Sequence, residues 1–304
     1  MPDARARDLT GEAAVVGIIG WPVAHSLSPL MHNRAFAHLD MNWVYVPFAV
    51  RPENLEAAVA GLRALSVRGF NVTIPHKTAI IPFLDQLTPA AAAIGAVNTV
   101  INRDGWLVGD NTDGLGFLQS LWEGAEFDPA GSRVVILGAG GAARAVAVTL
   151  ADAGATRIVV ANRTVARAQE LASVVRSRGA QAEAVPVGSP LLEDELAAAD
   201  LLVQTTPAGM EKAGMAGESS GGEAPAAPPV PESWLRPPLI VCDIVYTPPE
   251  TPLLAAARRR GLRVVPGWGM LLYQGAAAFE RWTGRPPPVA VMRDALLEAL
   301  DAGR

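Results

Sequence analysis

Short apolar runs and longer stretches of helical spacing alternate along most of this chain. Runs at 14–19, 43–49 and 69–74 have the length and composition of strands. After the first of them, Ser28 followed by Pro29 predicts a helix to about residue 39, with Ser28 as its N-cap and Pro at the first helical position. Residues 54–65 place Leu55, Ala58, Val59, Leu62 and Leu65 on one face of an amphipathic helix. Residues 96–101 and 106–108 flank Asn102-Arg103-Asp104-Gly105, and Asp-Gly between two apolar runs predicts a hairpin. Further strands are expected at 134–137, 157–161, 182–185, 201–204, 239–245 and 262–265, separated by helical stretches in the manner of a parallel sheet. Two helices, 270–282 and 289–300, close the chain. The segment 211–238 is rich in Gly, Ala, Pro, Ser and Glu without a helical period, which predicts a flexible surface excursion carrying neither core nor chemistry.

The strand at 134–137 runs into Gly138-Ala139-Gly140-Gly141-Ala142-Ala143, so Gly138, Gly140 and Ala143 fall on the spacing G-x-G-x-x-A before an Ala/Val-rich helix at 142–150. Gly138 permits a tight turn, Gly140 lets backbone N–H groups approach a pyrophosphate, and Ala143 lets helix and strand pack closely. The helix N-terminus adds partial positive charge and unsatisfied donors. Strand, loop, helix and next strand together predict a Rossmann-type, doubly wound nucleotide domain. At the tip of that next strand an NAD site would carry Asp or Glu, whereas this chain has Asn162-Arg163-Thr164, with Arg167 one turn further on. A carboxylate repels a 2′-phosphate and a guanidinium pairs with it, so NADP is the expected cofactor.

At 304 residues the chain has room for two domains with sizeable cores. A net charge of −5 argues against a nucleic-acid-binding surface. The single cysteine, Cys242, lies in an apolar run and excludes an internal disulfide. Arg5 and Arg7 before the apolar run 13–24 faintly resemble a secretory signal. Asp3, Asp8 and Glu12 among the basic residues, and Gly and Trp-Pro within the run, speak against it. With no apolar segment of spanning length, a cytoplasmic protein without membrane contact is expected.

Several polar residues sit where strands leave the predicted sheets. Ser26 and Ser28 at a strand-to-helix turn suit a polyhydroxylated or carboxylate ligand. Thr73 and Lys77 follow the strand at 69–74 across Pro75, which bars ordinary central-strand pairing. By pattern alone Lys77 reads as a solvated surface charge and Asp113 as a helix N-cap in the polar, Gly-spaced run 109–117. His25, His32, His38 and His76 lack metal-ligand spacing, so no metal is expected and none of them is assigned chemistry. Gln274 is the one amide in an otherwise apolar helix.

Read together, these stretches resemble the shikimate dehydrogenase family across nearly the whole chain. The resemblance rests on Gly20-x-Pro22-x-x-His25-Ser26-x-Ser28-Pro29, Asn71-Val72-Thr73-x-Pro75-x-Lys77, Gly95-Ala96-x-Asn98-Thr99 and Asn111-Thr112-Asp113-x-x-Gly116. It continues in the Gly138 loop, Asn162-Arg163-Thr164, Asp243-Ile244-Val245-Tyr246 before Thr251-Pro252-Leu253-Leu254, and Gly269-Met270-Leu271 leading to Gln274. It implies a substrate domain of α/β build at 1–112, completed by helices returning at 270–304, and an NADP domain at 113–269. It also implies that Ser26, Ser28, Thr73, Asn98, Asp113, Tyr246 and Gln274 contact shikimate, and that Lys77, with Asp113 beside it, provides acid–base catalysis. Gly138, Ala139, Gly140, Gly141, Ala142, Asn162, Arg163, Thr164, Arg167, Ile244 and Gly267 would hold NADP. The implied reaction is the reversible reduction of 3-dehydroshikimate to shikimate by a monomer or homodimer, the alternative being a quinate or dual quinate/shikimate dehydrogenase using NAD(P). One departure stands out: the family commonly reads Asn-x-Thr-Pro-x-Gly where this chain has Gln204-Thr205-Thr206-Pro207-Ala208-Gly209, which puts the nicotinamide-side contacts in question.

Overall fold

In a computed structural model of the chain, which describes residues 9–210 and 227–302, two sheets of six strands organise two units. One unit is Met1–Thr112 with Gly275–Arg304, and the other is Asp113–Gln274.

The first unit contains β1 (Ala14–Gly20), α1 (Ser28–His38), β2 (Trp43–Ala49), α2 (Leu55–Ala64), β3 (Gly69–Val72), β4 (Gln86–Leu87), α3 (Pro89–Ile94), β5 (Thr99–Arg103) and β6 (Trp106–Asp110). Its sheet runs β2-β1-β3-β5-β6-β4, with β1 parallel to β2 and β3, and β5 antiparallel to both β3 and β6. Alternation assigns the two faces. Ile19, Phe70, Val72 and Val100 pack with Leu55, Val59 and Leu62 of α2 on one side. On the other, Tyr45 stacks on His32 of α1, and Trp282 packs over Gly69, where a Cβ would collide with its indole. The β5–β6 hairpin turns on Asp104 (φ 52°) and Gly105 (φ 93°), both left-handed as a two-residue type I′ turn requires.

The second unit contains α4 (Asp113–Ala125), β7 (Arg133–Leu137), α5 (Gly141–Asp152), β8 (Arg157–Asn162), α6 (Val165–Ser177), β9 (Gln181–Pro186), α7 (Pro190–Ala197), β10 (Leu201–Gln204), β11 (Ile240–Asp243), α8 (Pro252–Arg259) and β12 (Val264–Pro266). Then follow α9 (Trp268–Thr283), which runs on into the first unit, and α10 (Val289–Ala302). All strands of this sheet are parallel, in the order β12-β11-β10-β7-β8-β9. The order reverses direction between β7 and β10, which makes the fold the expected doubly wound α/β type and places a crevice at that switch point. Continuous burial of Val134 to Leu137 and of Leu201 to Gln204 fits strands covered on both faces.

Three local expectations are corrected. Residues 227–238 are not a coreless excursion: Val230 (2% exposed) and Leu235 (0%) belong to the core beneath β11 and α8. A 3₁₀ turn, Glu232–Trp234, lies between them, and Glu232 pairs with Arg259 at 2.6 Å. Two apolar side chains five residues apart suffice to fasten a Pro-rich segment that has no helical period of its own. The remaining part of that expectation, 211–226, lies outside the described residues, as does the polar start at 1–8. Leu65 is 78% exposed, because α2 ends at Ala64 and turns it away from the core face. Ser28 is not an N-cap but the first residue of α1, after Leu27 in the cap position, with Pro29 next. Pro is tolerated there because first-turn N–H groups have no intrahelical acceptor.

Candidate active site

Sheet topology gathers the polar residues of the first unit at one edge. β1 and β3 are parallel, so the loops carrying Ser26 and Thr73–Lys77 leave from the same edge. Antiparallel β5 begins there with Asn98 just before it, and β6 ends there at Asp110. The β1 and β3 exits are tied together: Thr73 N–H donates to the Ile19 carbonyl (3.0 Å) and Trp21 N–H to that of Ile74 (2.9 Å). Gly20 is required at this crossing, since a Cβ would collide with the Thr73 methyl. The Ser26 hydroxyl accepts from the Ser28 N–H (3.3 Å), and Ser28 itself is buried. Lys77 sits on a fastened loop. Its carbonyl accepts from Val97 N–H (2.7 Å), and the buried ring of neighbouring His76 donates through Nε2 to the Val50 carbonyl (2.7 Å).

Asn98 is held by a buried polar network. Its Oδ1 accepts from Thr112 N–H (2.8 Å) and the Thr99 hydroxyl (3.0 Å), while its Nδ2 donates to Thr112 Oγ1 (3.0 Å). Asn71 Nδ2 donates to the Asn98 carbonyl (3.1 Å), and the Tyr45 hydroxyl donates to Asn71 Oδ1 (2.8 Å). With Oδ1 committed twice and Nδ2 bonded to Thr112, the plane of the amide is set. Sequence reading missed Tyr45 and Asn71 as parts of this site. Their only signal was a polar Asn inside a buried strand and an aromatic hydroxyl needing a partner.

The second unit supplies a dinucleotide crevice at the C-terminal edge of its sheet. Gly138 has φ 112°, a conformation that favours glycine, and a Cβ on it would lie 2.5 Å from Thr205 Oγ1. Gly140 occupies the N-cap position of α5 without any side-chain cap, and a Cβ there would meet nothing within 4 Å. Ala143 is fully buried against the sheet. Open space in front of uncapped helical N–H groups is what a pyrophosphate needs, so the residues present fit the expected cofactor. Ala139, Gly141 and Ala142 complete this turn. At the tip of β8 the Asn162 amide donates to the Thr164 carbonyl (3.0 Å) and closes the loop. Arg163 and Arg167 on either side are exposed, and neither pairs with a carboxylate among the described residues. Ile244 follows β11, and Gly267 follows β12 in direct backbone contact with Ile244.

Gln204, the departure from the family pattern, is fully buried and folds onto its own loop. Its Oε1 accepts from Thr206 N–H (3.0 Å), and its Nε2 donates to Thr206 Oγ1 (2.9 Å). A carboxamide bonded to the backbone two residues on is the arrangement that Asn adopts in an Asx-turn. The extra methylene is therefore absorbed within the loop. Thr205, also missed in sequence reading, donates to the Leu137 carbonyl (2.6 Å) and so fastens this loop to the Gly138 turn.

Asp113, Tyr246 and Gln274 belong to the second unit. Asp113 opens α4 and is buried. Gln274 lies on α9 with Nε2 donating to the Leu271 carbonyl (2.9 Å), and α4 reaches its backbone at Gly116. Tyr246 is half-buried, which pushes its phenol up to about 12. Among the described residues no group of three potential His, Cys, Asp or Glu ligands could hold a metal ion, and no helix is long and apolar enough to cross a membrane.

Comparison with known proteins accounts for both units. Residues 18–100 match the family model described as shikimate dehydrogenase substrate binding domain, residues 124–211 that of shikimate / quinate 5-dehydrogenase, and residues 267–297 that of the shikimate 5′-dehydrogenase C-terminal domain. A shikimate dehydrogenase (NADP(+)) of Geobacter metallireducens is 52% identical, covering 96% of this chain and 99% of its own length. One of Moorella thermoacetica is 55% identical over 95% of this chain and 94% of its own length. The crystal structure of the Thermus thermophilus enzyme in complex with NADP(H) and shikimate superposes with a TM-score of 0.82 at 38% identity, covering 94% of this chain and 100% of that one. With both units matched in order and close relatives aligned nearly end to end, the chain belongs to the shikimate dehydrogenase family.

Proposed function

We propose that this protein catalyses the reversible NADPH-dependent reduction of 3-dehydroshikimate to shikimate, a step of aromatic amino-acid biosynthesis carried out in the cytoplasm. NADPH supplies the hydride when bound. Hydride arrival at the ketone carbon builds negative charge on its oxygen, and the Lys77 ammonium stabilises that charge and delivers the proton. In the oxidative direction the neutral amine takes the proton back. Asp113 orients Lys77 and accepts a hydrogen bond from the neighbouring substrate hydroxyl. Ser26 and Ser28 hold the carboxylate, and Thr73, Asn98, Tyr246 and Gln274 contact the ring hydroxyls. On the cofactor side, residues 138–142 bind the pyrophosphate, Asn162, Arg163, Thr164 and Arg167 the 2′-phosphate end, and Ile244 and Gly267 the nicotinamide end.

One observation carries this reading. Lys77 is tied through its carbonyl to Val97, the next residue Asn98 is tied to Thr112, and Thr112 is bonded covalently to Asp113. Two of the assigned polar residues, Lys77 and Asn98, are thus held by one hydrogen-bonded network of the first unit, and a third, Asp113, follows it directly in the chain. Quinate with NAD is not favoured, because two guanidinium groups and no acid stand at the tip of β8. The test is NADPH oxidation by the purified protein with 3-dehydroshikimate, repeated with quinate and NAD in the reverse direction. Turnover of 3-dehydroshikimate with NADPH is expected, and a preference for quinate with NAD would overturn the assignment.

A further inference from the structure

Asp243 ends β11 with its side chain fully buried, and nothing in the proposed chemistry uses it. A carboxylate is costly in such a place unless its oxygens are satisfied. Both are. Oδ1 accepts from the Val245 N–H (3.0 Å), and Oδ2 accepts from the Thr251 hydroxyl (2.7 Å). Thr251 is in turn the N-cap of α8, accepting from Leu254 N–H (3.3 Å). One carboxylate therefore clamps the first and last parts of the loop 244–251, with Tyr246 between the two clamped points. Burial also pushes its carboxyl up to about 6.

The two halves of this loop are held by different means. Ile244, on the cofactor side, is fixed without the carboxylate: its N–H donates to the Gln204 carbonyl (3.0 Å), Gly267 lies against its carbonyl, and its side chain packs on the core. Val245, which leads into Tyr246, is bonded through its N–H to the Asp243 side chain. We propose that Asp243 is a positioning residue for shikimate recognition, holding Tyr246 in place through Val245 and Thr251 while the nicotinamide side is held by contacts that do not involve this carboxylate. This rests on the reading of Tyr246 as a substrate contact.

The experiment compares Asp243→Asn, Tyr246→Phe and the double variant by steady-state kinetics, with thermal unfolding as the check on folding. Asp243→Asn keeps the shape but replaces one acceptor oxygen by an N–H donor, so at most one of the two accepted hydrogen bonds survives, and without its charge. It is expected to raise the KM for shikimate about tenfold, the size of one lost charge-assisted hydrogen bond, while the KM for NADP stays within about twofold. In the double variant the two effects are expected to overlap rather than multiply, because both act through the same phenol. Equal rises in the two KM values, or full multiplication with Tyr246→Phe, would overturn the proposal. An unchanged shikimate KM in Tyr246→Phe overturns the reading of Tyr246, and the proposal with it, even where the enzyme turns over normally. If Asp243→Asn fails to fold, Thr251→Ala against Thr251→Ser makes the same comparison: Ser is expected to keep the shikimate KM and Ala to raise it, and equal behaviour of the two would count against the clamp.

Discussion

Gly116 of α4 and Gln274 of α9 approach backbone to backbone: a Cβ at residue 116 would lie 2.5 Å from the Gln274 backbone nitrogen and 2.9 Å from its Cα. Backbone cannot rotate away as a side-chain tip can, so any residue larger than glycine must push the helices apart. Gly116→Ala is therefore expected to cost about 1–3 kcal/mol of stability, as overpacking does. It also moves Gln274, so the KM for shikimate should rise as well. Urea unfolding and steady-state kinetics on the one variant measure both, and a variant as stable as the parent would refute the close approach.

Lys77 carries the proton transfer in the proposed reaction, and its loop is held by the bond from Val97 N–H to its carbonyl and by that of neighbouring His76 to Val50. Lys77→Ala should leave the loop intact. Turnover is expected to fall by about 10²–10⁴-fold, the usual worth of general acid–base help. Shikimate and NADP should still bind, which equilibrium titration reads directly. Unchanged kcat would remove Lys77 from the mechanism.

Arg163 and Arg167 are exposed at the tip of β8, where only a 2′-phosphate distinguishes NADP from NAD. Each Arg→Ala change is expected to raise the KM for NADP about tenfold, toward the lower end for hydrogen bonds to charged groups because solvent screens the site. The KM for NAD should hardly move. The NADP value in the parent should also climb with salt, and more steeply than in the double variant. A parallel rise for both cofactors would mean that these arginines support the loop rather than read the phosphate.

What was legible in the sequence is what local chemistry dictates. Asp104-Gly105 names its own turn, and Gly138, Gly140 and Ala143 act within one strand–turn–helix unit. Val230 and Leu235 were not legible as core, because two apolar residues among prolines have no period until α8 and β11 lie over them. The Tyr45–Asn71–Asn98 network was equally hidden, since its members are 26 and 27 residues apart and only sheet register brings them together. Lys77 is the extreme case. Nothing beside it marks it as other than a surface charge, and its reading came from family resemblance alone.

His32 is buried without exposure in an aromatic setting, its ring stacked on Tyr45 at 4.5 Å and 3° between planes. Neither ring nitrogen meets a hydrogen-bond partner among the described residues. Burial accordingly lowers its pKa to about 3. The unfolded chain takes up a proton near 6.5, the usual histidine value, whereas the folded one resists until about 3. Between those values the unfolded state binds more protons. The histidine's contribution to stability is thus complete above 6.5 and is lost progressively as pH falls toward 3. Phe fills the same stack with no nitrogen to desolvate. His32→Phe should gain about 1 kcal/mol or more at pH above neutrality, where only the unsatisfied polar atoms count. Below pH 6.5 its advantage should widen by about 1 kcal/mol for each further pH unit. Urea unfolding of both proteins at several pH values measures the difference, and a gap that stays constant down to pH 4.5 would show that the ring titrates as easily folded as unfolded.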